Sequence, residues 1–91
     1  MFLGKRIKEL REEKGLLQHQ LAAELEIHFP MYSKIERGER RAKREQVIKL
    51  AELLNADIDE LLNLWLADQV YEIVKDEKVA KAEMNFVEKK L

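Results

Sequence analysis

Apolar residues recur at helical spacing through most of the chain. Leu3, Ile7 and Leu10 fall four and three apart, so they share one face of a helix expected over 2–14. Glu9, Arg11, Glu12 and Glu13 cover the remainder. Gly15 supplies the left-handed backbone that commonly ends a helix, and Lys14 complements its carbonyl end. Beyond the apolar connector Leu16-Leu17, a second short helix is expected over 18–25, with Leu21, Ala22 and Leu25 inward. Glu26 and Ile27 form a turn, with Ile27 buried in it. A third helix is expected from Phe29 or Pro30 to Arg37. Pro30 marks its start, because the N–H that proline lacks has no partner in a first turn anyway. Tyr32 and Ile35 face inward, leaving His28, Phe29, Met31, Ser33 and Lys34 on the outer face and the leading end.

A fourth helix over 44–54 carries Val47, Leu50, Ala51 and Leu54 as a stripe, with Ile48 and Leu53 beside it. Asn55-Ala56 breaks the pattern. Asp57 precedes Glu60 by three, which predicts a capping box: each side chain satisfies an N–H at the helix start. The fifth helix begins at Ile58, with a stripe through Leu61, Leu62, Trp65, Leu66, Val70, Ile73 and Val74 and no stop before Lys75. Leu64, Trp65 and Leu66 in succession exceed one helix face and point to burial on two sides. A sixth helix is expected from Asp76 or Glu77 to about Lys90, with Val79, Ala80, Met84, Val87 and Leu91 on one side.

The reading is therefore all-α. With 91 residues the chain is one domain with at most a short appendage. One proline and three glycines leave few breakers. No cysteine means no disulfide and no thiolate metal site, which fits a reducing compartment. The N-terminus is charged throughout and lacks a signal peptide's apolar core, and no apolar run is long enough to span a membrane. A cytoplasmic protein is expected. His19 and His28 have no third ligand nearby in sequence, so no metal and no other cofactor is expected.

Charge changes the picture more than composition does. The formal net charge is −1, but residues 1–49 hold 12 Lys+Arg against 8 Asp+Glu, and residues 50–91 hold 5 against 10. A basic front half and an acidic back half suggest different partners. The centre of the front half is QHQLAAELEIHFPMYSKIERG, Gln18 to Gly38. It reads as two short helices joined by a tight turn. GERRAKR then supplies four cations against one anion, from Gly38 to Arg44. Such a pattern suits a helix end set against a nucleic-acid groove, with cations on the phosphates.

KELREEKG, then Gln18 and Leu21-Ala22, then SKIERGER at 33–40 and KLAELL at 49–54, resemble the Cro/C1-type (XRE) helix-turn-helix family. The resemblance covers 6–62. It implies a five-helix, lambda-repressor-like DNA-binding domain over 6–62, with 63–91 as a C-terminal helical extension for dimerisation or interaction. It also implies a transcriptional regulator of duplex DNA, commonly a dimer, among phage repressors, controller proteins of restriction-modification systems and antitoxins. A controller-like stand-alone regulator fits the short chain. Four positions depart from the family pattern. Leu17 cannot cap the second helix; Glu26 replaces a turn glycine and must take left-handed strain or alter the turn. Tyr32 stands where Ile or Val is usual, so its hydroxyl needs a partner or solvent. Arg44 stands where a leucine often packs.

In this motif the third helix enters the major groove with its leading residues at base edges. His28, Phe29, Met31, Ser33 and Lys34 are the candidate base contacts. Lys34 suits guanine O6 or N7, and Phe29 or Met31 a thymine methyl. Phe29 either faces DNA or closes the core over the second helix. Gln18 either caps its own helix or, as the resemblance implies, contacts a phosphate. Arg37, Arg40, Arg41, Lys43 and Arg44 are the further candidate phosphate contacts. Glu36 is expected to bond inside the domain, with Arg37 as a candidate partner.

Leu62, Trp65, Leu66, Val70, Tyr71, Ile73, Val74, Val79, Met84 and Val87 are the candidate interface of a two-fold dimer on a palindromic operator. The competing class is an antitoxin or adaptor that binds a second protein through the acidic half. No nucleophile-base set, phosphate-cradling glycine loop or acid pair supports an enzyme.

Overall fold

The computed structural model describes residues 1–75. Among them the chain forms five helices: α1 Phe2–Glu13, α2 Gln18–Glu24, α3 Phe29–Glu36, α4 Arg44–Leu53 and α5 Ile58–Val74. Each expected helix among these residues is present. The expected sixth helix, with Val79, Met84 and Val87, lies outside the described residues.

The stripes read from the sequence form one core. Leu3, Ile7 and Leu10 of α1 are buried, as are Leu21 and Ala22, Tyr32 and Ile35, Val47, Leu50, Ala51 and Leu54, and Leu61. Ala42 in the α3–α4 connection is buried with them. Each of the larger aliphatic side chains contributes ~1.5–3 kcal/mol on leaving water. α5 packs against α1 and α4, and α3 against α1 and α2. The pair α2–α3 is thus held from behind by α1, with its other side left open among the described residues.

Helix starts show how this sequence manages without favourable capping residues. Leu17 and Lys43 precede α2 and α4, and neither side chain can accept a hydrogen bond. The third residue of each helix reaches back instead. The Leu17 N–H donates to Gln20 Oε1 at 2.7 Å, and the Lys43 N–H to Gln46 Oε1 at 2.8 Å. At α5 the expected capping box is only half made. Asp57 Oδ1 accepts from the Asp59 N–H at 2.9 Å, but Glu60 turns away to accept from Arg6 Nε at 2.7 Å. A full charge on α1 is a stronger donor than a backbone amide, so the longer-range partner wins. α1 itself is capped from a distance: Asp68 of α5 accepts from the Phe2 and Leu3 N–H groups at 2.8 and 3.1 Å.

The boundary expected at residues 62 and 63 falls inside α5, which continues without a break to Val74. Beyond that point Trp65 Nε1 donates to the Ala42 carbonyl at 2.7 Å, and Tyr71 meets Phe2 edge-on at a centroid distance of 6.3 Å. Of Leu64, Trp65 and Leu66, the first two pack against the core and Leu66 is exposed.

Two backbone positions carry constraints of opposite kind. Glu26, in the α2–α3 turn, has φ +57°, so the left-handed strain expected there is present. For a residue with a side chain this costs about 1–2 kcal/mol. Gly4 lies where α1 crosses the end of α3, and a Cβ there would sit 2.3 Å from the Glu36 carbonyl oxygen. Gly4→Ala is expected to lower stability by ~1–3 kcal/mol through forced separation of the helices. Glu26→Gly is expected to raise it by roughly 1 kcal/mol. Urea denaturation of both variants checks the pair; a neutral Gly4→Ala contradicts the close crossing.

Candidate nucleic-acid interface

The outward position of α3 begins with a buried ion pair behind it. Arg11 of α1 grips Glu36 of α3 with two parallel bonds, Nε to Oε2 at 2.9 Å and Nη2 to Oε1 at 3.0 Å. Its remaining nitrogen, Nη1, donates to the Leu16 carbonyl at 2.9 Å. Gln18, the first residue of α2, adds an amide N–H to Glu36 Oε1 at 3.1 Å. The Glu36 side chain is only 2% exposed and that of Arg11 11%. Four segments therefore meet at one ion pair: α1, the connector after it, the start of α2 and the end of α3.

This corrects the expected Arg37–Glu36 pairing. Consecutive helical residues point about 100° apart, so Glu36 faces inward while Arg37 faces out. Arg37 takes Glu39 instead, at 2.8 Å, and donates to Ser33 Oγ at 2.7 Å. Tyr32 departs from expectation too. It is fully buried, and its hydroxyl is cut off from solvent beside the Arg11–Glu36 pair, where Glu36 is the group it interacts with, although outside ideal hydrogen-bond geometry. Burial first, then the Glu36 charge, pushes its ionisation far above the ordinary phenol range. At Glu36 burial works upward, but the Arg11 bonds, the Tyr32 hydroxyl and Gln18 outweigh it and hold the carboxyl below its ordinary value.

On the open side the leading end of α3 is exposed. His28 is its N-cap residue, in extended conformation, with Phe29 and Pro30 opening the helix. His28, Phe29 and Lys34 are exposed; Met31 and Ser33 are half-buried. Phe29 does not close the core over α2. It stacks on His19 of α2, ring centroids 4.1 Å apart and planes 12° from parallel, and keeps 38% of its surface exposed. The two rings form one flat plate across the open edge of the helix pair. Nothing in the sequence signalled this stack, since the two rings are ten positions apart on different helices.

The cations after α3 are exposed as well. Arg40, Arg41, Lys43 and Arg44 have no ion-pair partner among the described residues, nor does Lys34. Arg44 opens α4 and points to solvent, where the family pattern often packs a leucine. Arg37 is exposed but braced by Glu39. Gln18 is half-buried and oriented by Glu36, so it does not cap its own helix through its side chain. No group of three His, Cys, Asp or Glu side chains that could hold a metal occurs among the described residues.

Within α5 the expected interface residues divide. Leu62 and Trp65 pack against the chain's own core. Leu66, Val70, Tyr71 and Ile73 are exposed, and Val74 is half-buried. No helix among the described residues is long and apolar enough to cross a membrane.

Residues 7–61 match the helix-turn-helix family model. The chain belongs to the Cro/C1-type helix-turn-helix family. It is 32% identical over 74 residues to the transcriptional repressor RstR of the cryptic phage CTXphi from Vibrio cholerae serotype O1, across 81% of this chain and 66% of that protein. It is 39% identical over 62 residues to the HTH-type transcriptional regulator ImmR of Bacillus subtilis, across 68% of this chain and 49% of that protein. The chain thus matches about half to two thirds of the length of these curated relatives. No solved structure matches it significantly. The family and both relatives are transcriptional regulators rather than enzymes.

The ion pair makes this helix-turn-helix unit acid-sensitive. A carboxyl held below its ordinary value in the fold contributes stability above that value, and the contribution is lost as pH falls through the folded-state value. The window therefore opens below the ordinary 4.5 of glutamate. Glu36→Gln leaves Arg11 buried without a countercharge and is expected to cost about 3 kcal/mol at neutral pH. It is also expected to lose less further stability in acid than the parent does. Urea titrations at neutral pH and in acid below 4.5 check both; an equal acid response in the two proteins contradicts the role given to Glu36.

Proposed function

We propose that the chain is a sequence-specific transcriptional regulator that binds duplex DNA as a two-fold dimer, with α3 in the major groove. The observation that carries this reading is the open front of α3: an exposed leading end followed directly by four exposed cations that have no ion-pair partner among the described residues. Lys34 donates to a guanine edge, and Phe29 and Met31 supply apolar contact to thymine methyls. With no arginine or asparagine at the leading end, hydrogen-bond readout is modest, and apolar contact and DNA shape share the discrimination. Gln18, Arg37, Arg40, Arg41, Lys43 and Arg44 hold phosphates. They set affinity and its salt dependence without choosing sequence.

The dimer rests on the outer side of α5. Leu66, Val70 and Ile73 are spaced four and three apart, which aligns them along one side of the helix, and they are 52%, 40% and 72% exposed. Three large aliphatic residues in line are more apolar surface than an isolated helix leaves to water. Two copies joined there present two α3 helices to successive major grooves, about one turn (~34 Å) apart.

Selection from a random duplex pool tests the reading. The expected product is a palindromic site with half-site centres about one DNA turn apart. Lys34→Ala is expected to relax preference at one position per half-site and cost ~1–3 kcal/mol there. No enriched sequence, and no duplex bound even at low salt, overturns the proposal.

Replacing Leu66 and Ile73 by aspartate is expected to leave a folded monomer by sedimentation, with much weaker operator binding. An unchanged dimer contradicts the α5 assignment. A complex with a different protein in place of the homodimer favours the adaptor reading instead.

A further inference from the structure

A cleft of about 310 Å³ opens on the α1 side of α3, lined by Met1, Lys5, Lys8, Gln18, Glu36 and Arg37. We propose that this cleft seats a DNA-backbone phosphate, held by Lys5 and Lys8 of α1. The inference rests on the DNA-binding reading above and extends the contact surface to a helix outside the helix-turn-helix itself.

Lys5 and Lys8 are three apart on α1, so their ammonium groups rise from one face, and both residues are exposed. Lys5 has no ion-pair partner among the described residues. Lys8 meets only Glu12, at 4.0 Å with both side chains more than half exposed, a contact too weak to hold it against an incoming phosphate. Glu36, at the floor, does not repel an anion as a bare carboxylate does, because the Arg11 guanidinium binds both of its oxygens. Gln18 gives one amide hydrogen to Glu36 and keeps the other, so its head group is already oriented beside the cleft with a donor to spare. Arg37 closes the α3 side and belongs to the proposed DNA surface, which makes the cleft continuous with that surface. None of Arg40, Arg41, Lys43 or Arg44 lines it, so a phosphate held here is additional to those held by the loop after α3. Lysine suits such a contact, because it reaches a phosphate as a mobile point charge and does not require the planar match of arginine.

The test uses the full chain and its selected duplex. Lys5→Ala/Lys8→Ala is compared with the parent in salt titrations on that duplex and on an unrelated one. The expected result is a log–log salt slope reduced by about 0.9 per protomer, or roughly 1.8 for a dimer that seats one phosphate in each of its two clefts, with binding weakened alike on both duplexes. A scan in which single phosphates are replaced by neutral methylphosphonates is expected to find a position that weakens the parent and leaves the variant unaffected. Far-UV circular dichroism checks that α1 persists, and Lys5→Gln/Lys8→Gln repeats the comparison if alanine disturbs it. An unchanged slope and an unchanged methylphosphonate pattern overturn the inference while leaving the regulator reading intact. Loss of inorganic-phosphate binding by the variant with unchanged DNA behaviour also overturns it, by assigning the cleft to a free anion. A parent that binds no duplex instead removes the reading on which the inference stands.

Discussion

One buried ion pair joins α1, the connector after it and both helices of the helix-turn-helix. Glu36 is bound by two nitrogens of Arg11 and by Gln18, and Arg11 directs its last donor to the connector carbonyl of Leu16. Buried ion pairs are not generous in net stability, since desolvation offsets most of the attraction. What this one fixes is geometry. A bidentate guanidinium–carboxylate contact tolerates little rotation or sliding, so the end of α3, the start of α2 and the face of α1 hold one arrangement. The close crossing at Gly4 adds a steric lock beside the electrostatic one. With α3 clamped at its C-terminal end and packed through Tyr32 and Ile35, its leading end is left exposed while its base is rigid.

The helices were legible because their apolar residues follow a 3.6-residue period, and Leu3-Ile7-Leu10 or Val47-Leu50-Ala51-Leu54 admit no other reading. The exposed tip of α3 was legible because Tyr32 and Ile35 fix its inward face and leave His28, Phe29 and Met31 off it, and the cations after it because residues 38–44 form a polar run. What escaped is every contact whose partners are distant in sequence. Arg11 and Glu36 are separated by 25 positions, and Asp68 reaches back 65 and 66 positions to cap α1. No local spacing encodes such pairs. Adjacent Arg37 was the nearer candidate for Glu36, and helix geometry rules it out. The capping box at Asp57 failed similarly, because a distant arginine displaced a local amide as the partner of Glu60. The strain at Glu26 was readable, since a non-glycine residue in a tight turn between two short helices leaves few alternatives.

Formal net charge, −1, says little about how this protein meets its partners. Charge is sorted by position. Cations without ion-pair partners among the described residues follow α3, and lysines on α1 border the cleft behind it. Several carboxylates are instead engaged internally, among them Glu60 on Arg6, Asp68 on the start of α1 and Glu36 on Arg11. Glu60 and Glu36 each take an arginine with them, so these pairs leave the total charge unchanged, and the basic character is local to the connection after α3. α5 links the two ends of this arrangement. Its inner side holds the basic connection in place through Trp65 and the Ala42 carbonyl, and its outer side carries the exposed stripe of Leu66, Val70 and Ile73.

Arg11 and Glu36 act as one unit, and a double-mutant cycle in folding free energy measures that directly. Arg11→Met, Glu36→Leu and the double variant are compared with the parent by urea denaturation at neutral pH. Each single variant strands a buried charge and is expected to cost about 3–5 kcal/mol, whereas the double variant, with neither charge, is expected to cost far less than the sum. Additive losses, with a coupling near zero, would show that the two side chains stabilise the fold independently and would contradict the account.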